Sequence, residues 1–278
     1  MARADTWTDH EWGNRRGVLV TGGSRGVGAE VARTLARMCG DRIAIHFRNS
    51  LDEATTVRDA LEGNGHFLVQ GDLADPDQVR RFVAKAVEAL GRIDVLINNA
   101  ALFSDDPAAE GARLNLSVAE SSYDDWVTAW RRTLDVNLLG TANVTYQVAR
   151  HMIDTPPREG MPVGRIVTVG SRGAYRGEPE VPSYGASKAG VHAMTQSLAV
   201  ALAPYGIACV GIAPGFIETD MASTALAGPR GDDIRAQSPF GRVATTAEVA
   251  SAIMALCAPG AEWVSGAIVD FNGASYLH

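Results

Sequence analysis

The stretch Gly17-Val18-Leu19-Val20-Thr21-Gly22-Gly23-Ser24-Arg25-Gly26-Val27-Gly28 decides how this chain is read. Its first five residues form an apolar run of the kind found in a short buried strand. The glycines follow without a gap, and Val31, Leu35 and Met38 then recur at helical spacing. Strand, glycine loop and helix in that order is the context that a phosphate cradle requires. Glycines let the backbone approach a pyrophosphate, and the helix N-terminus offers unpaired N–H groups and a partial positive charge. The expectation is a dinucleotide site lined by Gly22, Ser24, Arg25, Gly26, Val27 and Gly28.

Working outward, the next strand covers residues 42–47 and ends in Arg48-Asn49-Ser50. NAD sites place a carboxylate about 20 residues beyond the glycines to take the ribose hydroxyls, and none stands here. Two guanidiniums, Arg25 and Arg48, match the charge and geometry of a 2′-phosphate instead. NADP(H) is therefore expected over NAD(H), with Asn49 and Ser50 beside it. A helix over 52–63 leads to a third strand over 67–73. The carboxyl end of that strand brings Asp72 and Leu73 to the ligand edge, with Asp72 placed to accept from an adenine amino group. Pro76 opens a helix with an apolar face through Val79, Phe82, Val83, Val87 and Leu90, and a fourth strand over 93–97 ends in Asn98-Asn99-Ala100-Ala101. This alternation predicts an α/β fold, a doubly wound parallel sheet with right-handed crossovers. It occupies residues 17–278 as one domain behind a polar extension, 1–16.

Of the 278 residues, 46% are hydrophobic and 21% charged, the balance of a soluble globular protein. The net charge of −7 and the lack of a dense basic run argue against nucleic-acid partners. Cys39, Cys209 and Cys257 lie far apart with no C-x-x-C, which suggests neither a metal site nor a disulfide framework and fits a reducing compartment. The N-terminal stretch has no apolar core of the signal-peptide kind. No apolar run approaches the roughly 18 residues of a membrane span, so a cytoplasmic location is expected.

Candidate chemistry lies in the second half. In Tyr184-Gly185-Ala186-Ser187-Lys188 the phenol and the amine are four apart and share one side of a helix. A phenol with a pKa near 10 is a poor acid–base group at neutral pH, and an ammonium held beside it lowers that value. Ser171 ends a fifth strand over 165–171, and Gly173, Gly177, Pro179 and Pro182 keep the intervening chain non-helical, so hydroxyl and phenol can meet. A long mixed connection over 102–122 precedes a helix running from Tyr123 through Asn137 to Leu138. A sixth strand over 207–213 is closed by Pro214-Gly215. Residues 216–237, rich in small and polar residues, read as a mobile lid over the substrate. A helix over 246–256 and a seventh strand over 267–270 complete the chain.

Thr21-Gly22-x-x-x-Gly26-x-Gly28, Asn98-Asn99-Ala100, Asn137, Ser171, Tyr184-x-x-x-Lys188 and Pro214-Gly215 occur in that order. Together they resemble the short-chain dehydrogenase/reductase family, in its single-domain branch near 3-oxoacyl-carrier-protein reductases, over residues 17–273. The resemblance implies a Rossmann-type sheet of about seven strands with helices on both faces, a nicotinamide dinucleotide, and a catalytic set falling on Ser171, Tyr184, Lys188 and Asn137. Asn137 would position a water joining Lys188 to solvent. Asn99, Ala100 and Ala101 match the segment lining the cofactor, and Pro214, Gly215, Ile217 and Thr219 the loop around its nicotinamide end. Ala101 stands where the family usually has glycine, and Asp270-Phe271-Asn272-Gly273 departs from the usual Asp-Gly-Gly. The implied activity is hydride transfer between NADP(H) and a carbonyl or secondary alcohol, most simply ketoreduction of a 3-oxoacyl or related ketone, with a carrier-bound acyl chain among the candidate substrates. The alternatives are an NAD-dependent alcohol dehydrogenase and a non-catalytic NADP-binding regulatory protein. Phe103, Tyr175, Phe216 and Met221 are candidates for an apolar substrate wall, and Arg131, Arg132, Arg172 and Arg176 for a carrier-protein patch. Family members usually form homodimers or homotetramers.

Overall fold

The computed structural model describes residues 15–103, 117–155 and 164–277. Its strands are β1 Gly17–Val20, β2 Arg42–Phe47, β3 Phe67–Gln70, β4 Val95–Asn98, β5 Gly164–Val169, β6 Ile207–Pro214 and β7 Ile268–Phe271. They form one seven-stranded sheet in the order β3-β2-β1-β4-β5-β6-β7, with every pairing parallel. Helices cover both faces: α1 Gly26–Cys39, α2 Leu51–Asp59, α3 Pro76–Leu90, α4 Tyr123–Leu134, α5 Thr141–Asp154, α6 Pro182–Leu202, α7 Asp220–Ala227, α8 Gly231–Ala236 and α9 Thr246–Leu256. The chain leaves β1 toward β2 on one side and returns to β4 on the other. That reversal opens a crevice at the carboxyl ends of β1 and β4, where open α/β sheets bind ligands.

The central strands are apolar without alternation because both of their faces are covered. β6 is buried along its whole length. Within β1, Leu19 points into one core with α3 and α5, while Val18 and Val20 point into the other with α1 and α9. Helix ends follow local chemistry. Asp75 accepts from the N–H groups of Asp77 and Gln78 ahead of Pro76, Thr245 and Glu248 form a capping box on α9, and Gly40 ends α1 at φ 67°.

Several segments differ from the sequence reading. The strand expected over 67–73 stops at Gln70, so Asp72 and Leu73 lie in the loop beyond it. The helix from Tyr123 does not end at Leu138. It runs on to Asp154 through a π turn, Asp135–Gly140, that contains Asn137, and such turns accommodate an extra residue at a functional helix. Residues 216–237 hold two short helices, α7 and α8, separated by Gly228. A 3₁₀ turn, Arg172–Ala174, also interrupts the stretch expected to be non-helical. Most of the 102–122 connection and of the 1–16 extension lies outside the described residues, as does the side chain of Met221.

Candidate active site

The glycine loop is shaped by close approach. Gly22 has φ 64°, and a Cβ there would fall 2.9 Å from Ala100 Cα. A Cβ on Gly28 would run into Gly22 O, so Gly28 packs beneath the loop instead of lining the cleft. At the start of α1, Arg25 provides no side-chain cap, and the first intrahelical bond is Ala29 N–H to Arg25 O. Gly26 and Val27, at the start of this helix, line the cleft, the place an anion site at a helix N-terminus requires. Asn99 ties the loop to β4: its Nδ2 donates to Thr21 O at 3.0 Å and to Gly22 O at 3.1 Å.

One cleft runs from this loop to Tyr184. Its walls include Gly22, Ser24, Arg25, Gly26 and Val27; Arg48, Asn49, Ser50, Asp72 and Leu73; Asn99, Ala100 and Ala101; Ser171, Tyr184 and Lys188; and Pro214, Gly215, Ile217 and Thr219. Of the residues expected at the site, only Gly28 and Asn137 are missing from these walls. Asp72 is more engaged than expected. Its Oδ1 accepts from Ala74 N–H at 2.9 Å, and its Oδ2 lies 3.5 Å from Arg48 Nε and 3.4 Å from an Arg132 nitrogen.

Tyr184 and Ser171 both line the far wall of this cleft. The Ser171 hydroxyl accepts from Gly173 N–H at 2.9 Å, and its backbone N–H donates to His192 Nε2 at 3.3 Å. Phe103 packs edge-on against the Tyr184 ring with centroids 4.8 Å apart. The expected lowering of the phenol by Lys188 is not found in this structure. Burial, the largest influence, pushes the phenol up to about 12, against the pull of the nearby Ser171 hydroxyl. Burial also brings the Lys188 ammonium down to about 8. That ammonium donates to Val169 O at 2.8 Å and stands 5.7 Å from the Tyr184 ring centroid.

Asn137 is 1% exposed, and its side chain clamps the chain leaving β4. Oδ1 accepts from Leu102 N–H at 2.7 Å, while Nδ2 donates to Leu102 O at 3.0 Å and Ser187 Oγ at 3.1 Å. Its side-chain amide is thus engaged locally. Of the expected substrate wall, Phe103 and Phe216 do flank Tyr184, whereas Tyr175 packs on the His192 ring at 5.1 Å. The arginines expected to receive a carrier protein do not form one patch: Arg172 is buried and Arg176 bonds Gln237.

Sequence reading missed His46. It lies on β2, 1% exposed, accepts from Gly22 N–H at Nδ1 (3.2 Å) and pairs its Nε2 with Gly71 O (3.0 Å). Burial lowers its pKa to about 4, so it bridges the glycine loop and the β3 end as a neutral ring. The available signal was a lone imidazole in the apolar run Ile43-Ala44-Ile45-His46-Phe47.

The chain belongs to the short-chain dehydrogenases, dinucleotide-dependent oxidoreductases acting on CH–OH groups: residues 16–229 match the model described as short chain dehydrogenase. A 3-oxoacyl-[acyl-carrier-protein] reductase FabG of Staphylococcus epidermidis is 31% identical over 94% of this chain and 99% of its own. An L-rhamnose 1-dehydrogenase (NAD(P)(+)) of Sphingomonas sp. is 33% identical over 94% of this chain and 96% of its own. Among solved structures, a short chain dehydrogenase from Burkholderia cenocepacia in complex with NADP superposes with a TM-score of 0.79, at 32% identity over 94% of this chain and 99% of that one.

Proposed function

We propose that the protein is an NADPH-dependent ketoreductase whose catalytic groups are Tyr184, Ser171 and Lys188. The observation that carries this reading is that Tyr184, Ser171 and Lys188 line the same cleft as the glycine loop. The loop, with Arg25 and Arg48 at the 2′-phosphate end, would hold NADPH, which supplies the hydride. A phenol at about 12 stays protonated at neutral pH and so serves as proton donor to the carbonyl oxygen as hydride reaches its carbon. The Ser171 hydroxyl donates to the developing oxyanion, a contribution of roughly 3 kcal/mol by comparison with lost oxyanion donors. Lys188, at about 8, exchanges a proton near neutral pH and can restore the phenol. Asn137 acts by holding Leu102, and hence Phe103, against the reaction wall. Helices α7 and α8 form the lid. Exposed Leu139, Tyr146 and Val200 support assembly as a homodimer or homotetramer. The FabG relatives support a 3-oxoacyl or related ketone as substrate.

Tyr184→Phe tests the assignment. NADPH oxidation with a ketone panel should fall by roughly a hundred- to ten-thousandfold, while NADPH binding, read by its fluorescence, persists. Retained turnover would defeat it. A second reading, an NAD-dependent alcohol dehydrogenase, draws on the Arg48–Asp72 contact, which engages part of the charge meant for a 2′-phosphate. Relative affinities for NADPH and NADH decide between the two.

A further inference from the structure

Arg172 follows Ser171 directly and faces two cavities. One is the substrate pocket beside Tyr184, and the other is an aromatic cavity under the C-terminal segment, with Phe240, Phe271 and Tyr276 in its walls. The residue is 4% exposed. One guanidinium nitrogen donates to Ser275 Oγ at 2.6 Å, and the group lies over the Phe216 ring, 5.5 Å from its centroid. Among the described residues no carboxylate comes within ion-pair distance of it. A guanidinium carries five N–H donors in a fixed fork, and one hydroxyl with an aromatic face leaves most of that fork unmatched. Burying a charge is costly unless an opposite charge pairs with it. Burial does lower the Arg172 pKa, and neighbouring Arg176 pushes the same way. Glu178, the carboxyl on the same pocket wall, attracts the guanidinium from a distance, and no ion pair joins the two.

We propose that the missing partner is part of the substrate: Arg172 is a specificity-determining residue that takes the carboxylate of an oxo acid. Ser171 fixes where the carbonyl meets Tyr184, and the next residue in the chain fixes the acid group. A carboxylate matches the fork in a bidentate pair. A carrier-bound thioester offers no such charge and would leave the guanidinium facing a neutral group. The proposal rests on the reductase reading for the chemistry at the carbonyl, but not for binding of the acid.

The test compares 3-oxohexanoate with its methyl ester, by NADPH oxidation and by calorimetry on the NADPH-loaded protein. The wild type is expected to favour the acid by roughly ten- to hundredfold in kcat/KM and in Kd, the worth of a charge-assisted hydrogen bond. In Arg172→Met that preference should vanish through a higher KM for the acid. Arg172→Gln, which keeps a hydrogen bond to Ser275 within reach, gives the same reading should the methionine variant not fold. Equal binding of acid and ester by the wild type overturns the proposal, as does a preference that survives both variants. Arg172-dependent binding of the acid without reduction of any ketone would sustain the proposal and bring down the reductase reading. Reduction indifferent to the carboxylate would do the reverse.

Discussion

His46 makes the hold on the glycine loop sensitive to acid, and the size of the effect follows from its surroundings. The neutral ring accepts from Gly22 N–H and donates to Gly71 O, so a proton added at Nδ1 would set two donors against each other. Burial holds the folded ring at about 4, against 6.5 for an ordinary histidine. Between those values the unfolded chain binds a proton that the folded chain refuses, so stability rises with pH across the window and is lost on acidification. At about 1.4 kcal/mol per pH unit, the loss from His46 alone reaches about 3 kcal/mol by pH 4. His46→Gln keeps a donor and an acceptor but does not titrate. Urea unfolding of both proteins at pH 7 and at pH 4 gives the difference of differences, which cancels every other titrating group. The variant should lose about 3 kcal/mol less than the wild type on acidification, and NADPH affinity should weaken less as well. Equal acid losses would refute the bridging role.

Three further outcomes are expected. Lys188→Met should lose turnover yet melt no lower than the wild type at pH 7, because it removes a buried charge whose proton is disfavoured down to about 8 and gives up only one hydrogen bond, to Val169 O; a lower melting temperature would contradict the burial argument. Asn137→Ala leaves Leu102 N–H and C=O without their partners. At about 1–3 kcal/mol for each unsatisfied group, the loss should be roughly 3 kcal/mol, read calorimetrically as a melting point lower by about 6–12 °C. Arg48→Asp should reverse coenzyme choice in steady-state kinetics, cutting kcat/KM for NADPH by roughly tenfold or more and leaving NADH less affected. An unchanged ratio would remove Arg48 from the 2′-phosphate site.

Much of the cleft was legible in the chain because its parts are local. The glycine loop, the ends of β2, β3 and β4, and the turn after β6 each carry their ligand-facing residues within a few positions of a strand terminus. A parallel sheet gathers all of those termini at one edge. That logic placed Ser171, Tyr184 and Lys188 together although the first lies 13 residues before the second. It failed where a residue's role depends on what a distant segment presents. Asn137 reads as an ordinary helix residue, and its partners are Leu102 and Ser187, 35 and 50 positions away. Asp72 was expected inside a strand end and lies in the loop beyond β3, where Arg132, on α4, helps set what its carboxylate does.

The order of strands and helices, the glycine loop and the spacing of phenol and amine were determined by the sequence itself, since each is a pattern of neighbours or of residues one helical turn apart. Tertiary structure alone decided the charge states. Desolvation depends on everything packed around a group, so the same burial that draws Tyr184 and Lys188 into one site leaves the phenol more basic and the amine more acidic than their spacing implied. It also turned His46 into a neutral bridge and sealed Arg172 away from bulk water, because only the closed sheet with its covering helices excludes solvent from both.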